Sequence, residues 1–191
     1  MQDIFSQVRA CQLCHDSLPL GANPIIQGSE RARIVIIGQA PGIKAHQSST
    51  PFNDASGKRL REWLAVSSQQ FYDPSLFAII PMAFCYPGKG KSGDLPPPSI
   101  CAQTWHRSIL ATLRQSKLTL LIGQYAQKYY LTAASTLTAN VSSCDYQNHH
   151  YLALPHPSPR NRFWLQKNPW FEKLKLPILQ HRVEKLLAES S

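Results

Sequence analysis

Residues 33–42 read RIVIIGQAPG: an arginine, four consecutive β-branched apolar residues, then a turn built on two glycines and a proline. A run so short and apolar at every position suits a strand covered on both faces, as in a parallel sheet. The turn that follows, Gly38-Gln39-Ala40-Pro41-Gly42, forces a tight bend whose backbone N–H groups can face a ligand. Working outward from the Arg33 to Ile37 strand, three further runs have the same character: Phe77 to Phe84, Leu118 to Ile122 and Tyr151 to Leu154. Helical patterns lie between them. Residues 58–66 set Leu60, Trp63 and Leu64 at helical spacing, and residues 99–113 open on Ser99, a plausible cap after Pro96-Pro97-Pro98.

Strand alternating with helix predicts an α/β fold, three layers with a four-stranded, mainly parallel central sheet. The C-terminal pattern starts at Asn168-Pro169, runs through Trp170, Phe171 and Leu174, and continues past Pro177 to Val183, Leu186 and Leu187. It predicts a helix kinked or broken near Pro177. Residues 86–98, rich in Gly, Pro and Lys, and residues 132–150, rich in Ser, Thr, Ala and Asn, read as irregular loops, the second as a solvated connection. Neither is long enough to divide the chain, so residues 1–191 are expected to form a single domain.

Of the 191 residues 43% are hydrophobic and 16% charged, which excludes a disordered or coiled-coil chain. Twenty Lys and Arg against eleven Asp and Glu give a formal net charge of +9, which favours a polyanionic partner, nucleic acid first. The N-terminus has no basic start followed by an apolar core. No apolar run approaches the roughly 18 residues of a membrane span, so a cytoplasmic chain with no membrane partner is expected. Five cysteines with no export signal argue against a disulfide framework. Cys11 and Cys14 form a C-x-x-C, Cys85 and Cys101 make a second pair, and Cys144 is left over. Four thiolates fit zinc or an iron–sulfur cluster equally well on ligand count.

In an open parallel sheet the ligand crevice lies beyond the carboxyl ends of the strands. Two polar, proline-stiffened loops should meet there: the turn after the first strand, and His156-Pro157-Ser158-Pro159-Arg160-Asn161 after the last. The second loop carries an imidazole, a hydroxyl, a guanidinium and an amide. Each of these groups alone is more often structural than functional; together at one sheet edge they mark a site.

The order C-x-x-C, an apolar strand into GQAPG, then Pro51-Phe52-Asn53-Asp54-Ala55-Ser56-Gly57, Cys85 with Cys101, and finally HPSPRN resembles the uracil-DNA glycosylase superfamily, most of all its branch bearing a four-iron, four-sulfur cluster. The resemblance runs from about Cys11 to about Asn161. It implies a uracil-DNA glycosylase-like fold with Cys11, Cys14, Cys85 and Cys101 as ligands of a 4Fe-4S cluster, zinc being the alternative. It implies an enzyme that everts a damaged base from DNA, uracil first, and hydrolyses its N-glycosidic bond. Phe52 would stack on the everted base, and His156 would donate a hydrogen bond to the departing base. Gly38, Gln39 and Ala40 would present the first loop to base and sugar, with Gln39 as a catalytic amide that orients water. Ser158, Arg160 and Asn161 would hold the backbone or the opened helix, with Lys89 and Lys91 as further phosphate contacts.

The chain departs from that pattern twice. Gln39 stands where the cluster-bearing branch commonly has an acidic residue, and Pro81 where many members have an asparagine. Asp54 is then the nearest substitute carboxylate, Asn53 a candidate for reading a pyrimidine edge, and a pocket accepting other deaminated bases is expected. With no evident lysine nucleophile, strand cleavage is not expected, nor is any particular oligomer beyond a monomer. A non-catalytic lesion-binding protein with an iron–sulfur or zinc staple is the alternative. A zinc deaminase is disfavoured by the absence of H-x-E paired with P-C-x-x-C.

Overall fold

The computed structural model describes residues 3–131 and 135–189. Four strands, β1 (Ile34–Ile37), β2 (Phe77–Ile79), β5 (Leu118–Ile122) and β6 (Tyr151–Leu154), form one sheet in the order β2-β1-β5-β6 with every pairing parallel. All residues of β1, β2 and β5 are buried, which is why they read as unbroken apolar runs rather than as alternation. A separate two-stranded hairpin joins β3 (Lys89–Gly90) to β4 (Gly93–Asp94).

Alternate residues along each strand feed two apolar layers. Ile34, Ile36, Leu120 and Leu152 point toward α3 (Ala55–Leu64), α8 (Leu137–Ser143) and α10 (Leu176–Ala188), where Leu60, Trp63, Val141, Leu179 and Val183 complete the packing. Val35, Ile37, Ala78 and Leu121 face the other way, onto Phe5 and Val8 of α1 (Ile4–Arg9), Ile109 of α6 (Arg107–Thr112) and Ala126 of α7 (Gly123–Tyr130). The result is the three-layer α/β/α arrangement expected from the sequence. The remaining short helices are α2 (Ile43–Ser48), α4 (Ser68–Phe71), α5 (Ser99–Cys101) and α9 (Arg162–Lys167).

Several local readings are corrected. The second strand ends at Ile79 rather than Phe84, because Pro81 has no N–H to continue the ladder; Ile80, Met82 and Ala83 still donate to the carbonyls of Ile36, Gly38 and Gln39. The helix read over residues 58–66 starts earlier, at Ala55, with Asp54 as its cap. Pro98, not Ser99, occupies the cap position of α5, and a π-helical stretch, Ala102–His106, links α5 to α6. The C-terminal helix is not broken at Pro177: a π-helical stretch over Phe171–Lys175 precedes α10, and Pro177 sits in the first turn after it, where its missing donor costs least.

The segment read as a solvated connection over residues 132–150 holds α8, capped by the Thr136 hydroxyl on the Ala139 N–H and anchored by buried Val141, Cys144 and Tyr146. Its residues 132–134 lie outside the described part. The other supposed loop, residues 86–98, contains the β3–β4 hairpin.

Candidate active site

The strand order places β1 and β5 side by side while their connections leave in opposite directions, β1 toward β2 and β5 toward β6. That divergence opens a crevice at the carboxyl ends of the central strands. A cleft of ≈ 770 Å³ lies there, and it is lined by the whole Gly38 to Gly42 turn, by Phe52 and Asp54, and by His156, Ser158, Arg160 and Asn161. The two loops singled out in the sequence therefore do converge. Gly123 and Gln124, immediately after β5, join them.

Phe52 is held by unusual backbone. Its φ is +52°, and Tyr72 donates its hydroxyl hydrogen toward the carbonyls of Pro51 and Phe52 at 3.1 and 3.3 Å. The half-buried ring meets Phe71 edge-on at 6.2 Å and approaches Gly38 so closely that a Cβ there would lie 3.2 Å from its Cζ. Gly57 makes the bend possible, since a Cβ at that position would overlap the Phe52 carbonyl oxygen. Asp54 then starts α3, its Oδ1 accepting from the Gly57 N–H at 2.9 Å. One turn thus brings an aromatic face and a carboxylate to the cleft. Asn53, between them, is exposed and is not among the residues lining it.

His156 leaves β6 two residues after Leu154. Burial lowers its pKa, and the nearby Asp54 carboxylate opposes that shift. The Ser158 N–H donates to Nδ1 at 3.2 Å. A nitrogen that accepts carries no proton, so the neutral ring has its hydrogen on Nε2, free to donate. The loop is locked from several sides. Asn161 Nδ2 donates to the His156 carbonyl at 3.0 Å, Arg59 of α3 reaches the Ser158 carbonyl at 3.3 Å, and the Ser158 hydroxyl caps the following turn by accepting from the Arg160 N–H. Gly123, at φ +80°, lets the chain after β5 pass beside the imidazole; its Cβ position lies 3.6 Å from His156 Cβ and Cδ2.

A family model describing the uracil DNA glycosylase superfamily matches residues 25–180, which takes in all four sheet strands and both cleft loops. The chain belongs to the uracil DNA glycosylase superfamily. Action on DNA, the work of this superfamily, is in keeping with the chain's positive charge.

The cleft also contains residues that the sequence did not single out. Ser92, Gly93 and Asp94 of the hairpin form part of its wall, Thr136 and Thr138 come from the start of α8, and Trp164 from α9. Trp164 Nε1 donates to the Thr138 hydroxyl at 2.8 Å, tying α9 to α8. Arg160 reaches the hairpin, donating from a guanidinium nitrogen to the Ser92 carbonyl at 3.0 Å. Lys89 and Lys91 are exposed on the same hairpin, outside the cleft itself. Pro81 lines the inner wall, and its carbonyl accepts from His106 Nε2 at 3.0 Å, while His106 Nδ1 accepts from the Tyr130 hydroxyl at 2.6 Å. Burial pushes the His106 pKa down to about 4, so this imidazole is a neutral brace behind the wall.

The cysteines lie elsewhere. Cys11, Cys14, Cys85 and Cys101 are free thiols lining one small pocket together with Leu13, Pro98 and Trp105. Burial, with help from the other three thiols, pushes Cys85 up to about 11, and burial raises Cys101 as well. Among the described residues no three His, Cys, Asp or Glu side chains are drawn into a cage for a metal ion. The superfamily match includes Cys85 and Cys101 but starts after Cys11 and Cys14. Cys144 is buried near Tyr151, whose carbonyl accepts its thiol at 3.4 Å, remote from that pocket.

Proposed function

We propose that the protein is a monofunctional DNA glycosylase that removes uracil, and related deaminated bases, by hydrolysis of the N-glycosidic bond. The observation that carries this reading is the His156 ring: desolvated, neutral, and with Nε2–H unclaimed because Nδ1 is occupied by the Ser158 N–H. As the C1′–N bond breaks, its electron pair leaves with the base and charge collects on the carbonyl oxygens of the base. A preorganised donor at that oxygen lowers the barrier. Phe52 offers a face for the everted base, with base–aromatic stacking worth about 1–3 kcal/mol against the cost of leaving the duplex.

Ser158, Arg160 and Asn161 position the DNA backbone, and Gly38, Gln39 and Ala40 bound the sugar side. Asp54 supplies negative charge where positive character develops on the sugar. No lysine lines the cleft among the described residues, in keeping with release of the base by water and no strand cleavage. With Gln39 and Pro81 in the wall and Asn53 turned out to solvent, the base edge meets few fixed polar readers, which favours a permissive pocket over one tuned to uracil alone.

Cys11, Cys14, Cys85 and Cys101 are the residues that would hold a 4Fe-4S cluster. Their donor set of four buried or half-buried thiols lining one pocket fits such a group by ligand type and count, zinc being the alternative. When bound, such a group would tie the N-terminal segment to the chain after β2 and to α5. The protein is expected to act as a monomer on DNA inside the cell; no described helix is long and apolar enough to cross a membrane.

Because Gln39 replaces a carboxylate, a lesion-binding protein without catalysis is the second reading. Single-lesion oligonucleotides carrying uracil, hypoxanthine or xanthine, incubated with the protein and then treated with alkali, separate the two. Alkali-dependent breaks at uracil and at least one deaminated purine are expected. Retarded complexes with no breaks at any lesion would establish the binding protein instead.

A further inference from the structure

The glycosylase reading leaves open which group takes the proton from the attacking water, since Gln39 cannot. The hairpin answers this from an unexpected direction. Gly90 and Gly93 pair across its tip, and Lys89 opposite Asp94 fixes which way Asp94 faces. The Leu95 N–H closes the hairpin base on the Gly88 carbonyl at 2.8 Å. Arg160, from the same loop as His156, grips the tip through the Ser92 carbonyl and packs against Gly93, whose φ of +147° and missing side chain make room for the guanidinium. This grip turns Asp94 over the first-strand loop, where its Oδ2 comes within 3.5 Å of the Cβ position of Gly42. Asp94 lines the same cleft as Asp54, Gln39 and His156.

We propose that Asp94 is the general base of this active site, and that the hairpin is the device that delivers it. In the step this assigns, a water oxygen bonds to C1′ as the C1′–N bond breaks. The water proton passes to the Asp94 carboxylate, and the bonding pair leaves with the base, whose carbonyl oxygen is held by His156 Nε2–H. Asp54, in the same cleft, is the electrostatic stabiliser of the sugar. The local charges are consistent with this division. Desolvation raises the Asp94 pKa, Arg160 and Lys89 pull it down, and Asp54 pushes it up; burial, with Asp94 adding to it, raises the phenol of Tyr86. Two carboxylates lining one cleft can divide a base role from a stabilising one.

The proposal rests on the glycosylase reading, and Asp94→Asn separates the two. The substitution keeps the side-chain shape on a solvent-accessible hairpin. Single-turnover excision is measured on a uracil oligonucleotide, with binding and thermal midpoint recorded alongside. The expected result is a rate lowered about 100-fold or more, as for loss of a general base, with binding within a few-fold of wild type and an unchanged midpoint. Excision within a few-fold of an active wild type would overturn the role of Asp94 while leaving the glycosylase reading intact. A wild type that releases no base from any lesion tested would overturn both.

Discussion

His156 is a donor because of what its neighbours withhold and supply. Burial disfavours the imidazolium, and the Ser158 N–H occupies Nδ1, so the proton must sit on Nε2. The pKa lies below its ordinary value of 6.5, which has a direct kinetic consequence. If the neutral ring is the working form, single-turnover excision stays level as pH falls through 6.5 and declines only at lower pH. A rate halved at pH 6.5 would mean that the ring titrates as in solvent. Motif reading found this residue because its loop is polar and stiffened by prolines on both sides. It missed Asp94, whose place depends on a hairpin register and on a grip by Arg160, 66 positions later in the chain. Nothing within a few residues of Asp94 announces either contact.

At the scale of elements, the short turn from Pro51 to Gly57 carries more of the site than its length suggests. It bends Phe52 into positive φ, caps α3 through Asp54, and needs a glycine at 57 for the Phe52 carbonyl to pass. Gly57→Ala should therefore push the Phe52 carbonyl aside, lower stability by about 1–3 kcal/mol as an overpacked site does, and cut excision more than DNA binding. Denaturant unfolding with parallel excision and binding assays checks this; wild-type stability and turnover would show that the turn can move at no cost.

Strands were the most legible elements. Leu118 to Ile122 and Tyr151 to Leu154 match the structure residue for residue, since every residue of these strands but Tyr151 is buried and each run stops where the chain turns polar or meets proline. Phe77 to Phe84 was overextended because apolar residues continue past Pro81 into a chain that still hydrogen-bonds to the first loop. The helix α8 was hidden by its composition. Thr, Ala, Asn and Ser read as loop, and only tertiary packing of Val141 with Cys144 and Tyr146 makes the segment worth folding.

Across the whole molecule, two centres sit on different parts of one sheet framework. The cleft lies at the carboxyl ends of β1, β5 and β6, and the four thiols gather where the N-terminal segment meets the chain after β2. The superfamily match spans every cleft-lining residue but only two of the four cysteines, and the cluster is a proposal. Protein purified without oxygen is expected to be brown with about four irons per chain by metal analysis, and Cys11→Ser to be colourless with a lowered thermal midpoint. One zinc and no iron in the wild type would contradict the cluster.

The most direct test of the cleft as a base-release site is single-turnover excision by His156→Ala beside wild type on the same uracil duplex, with binding measured in parallel. Loss of one preorganised donor corresponds to about 2.7–4 kcal/mol of transition-state stabilisation. The account predicts excision slowed about a hundred- to a thousand-fold with binding preserved. Equal rates for the two proteins would contradict it.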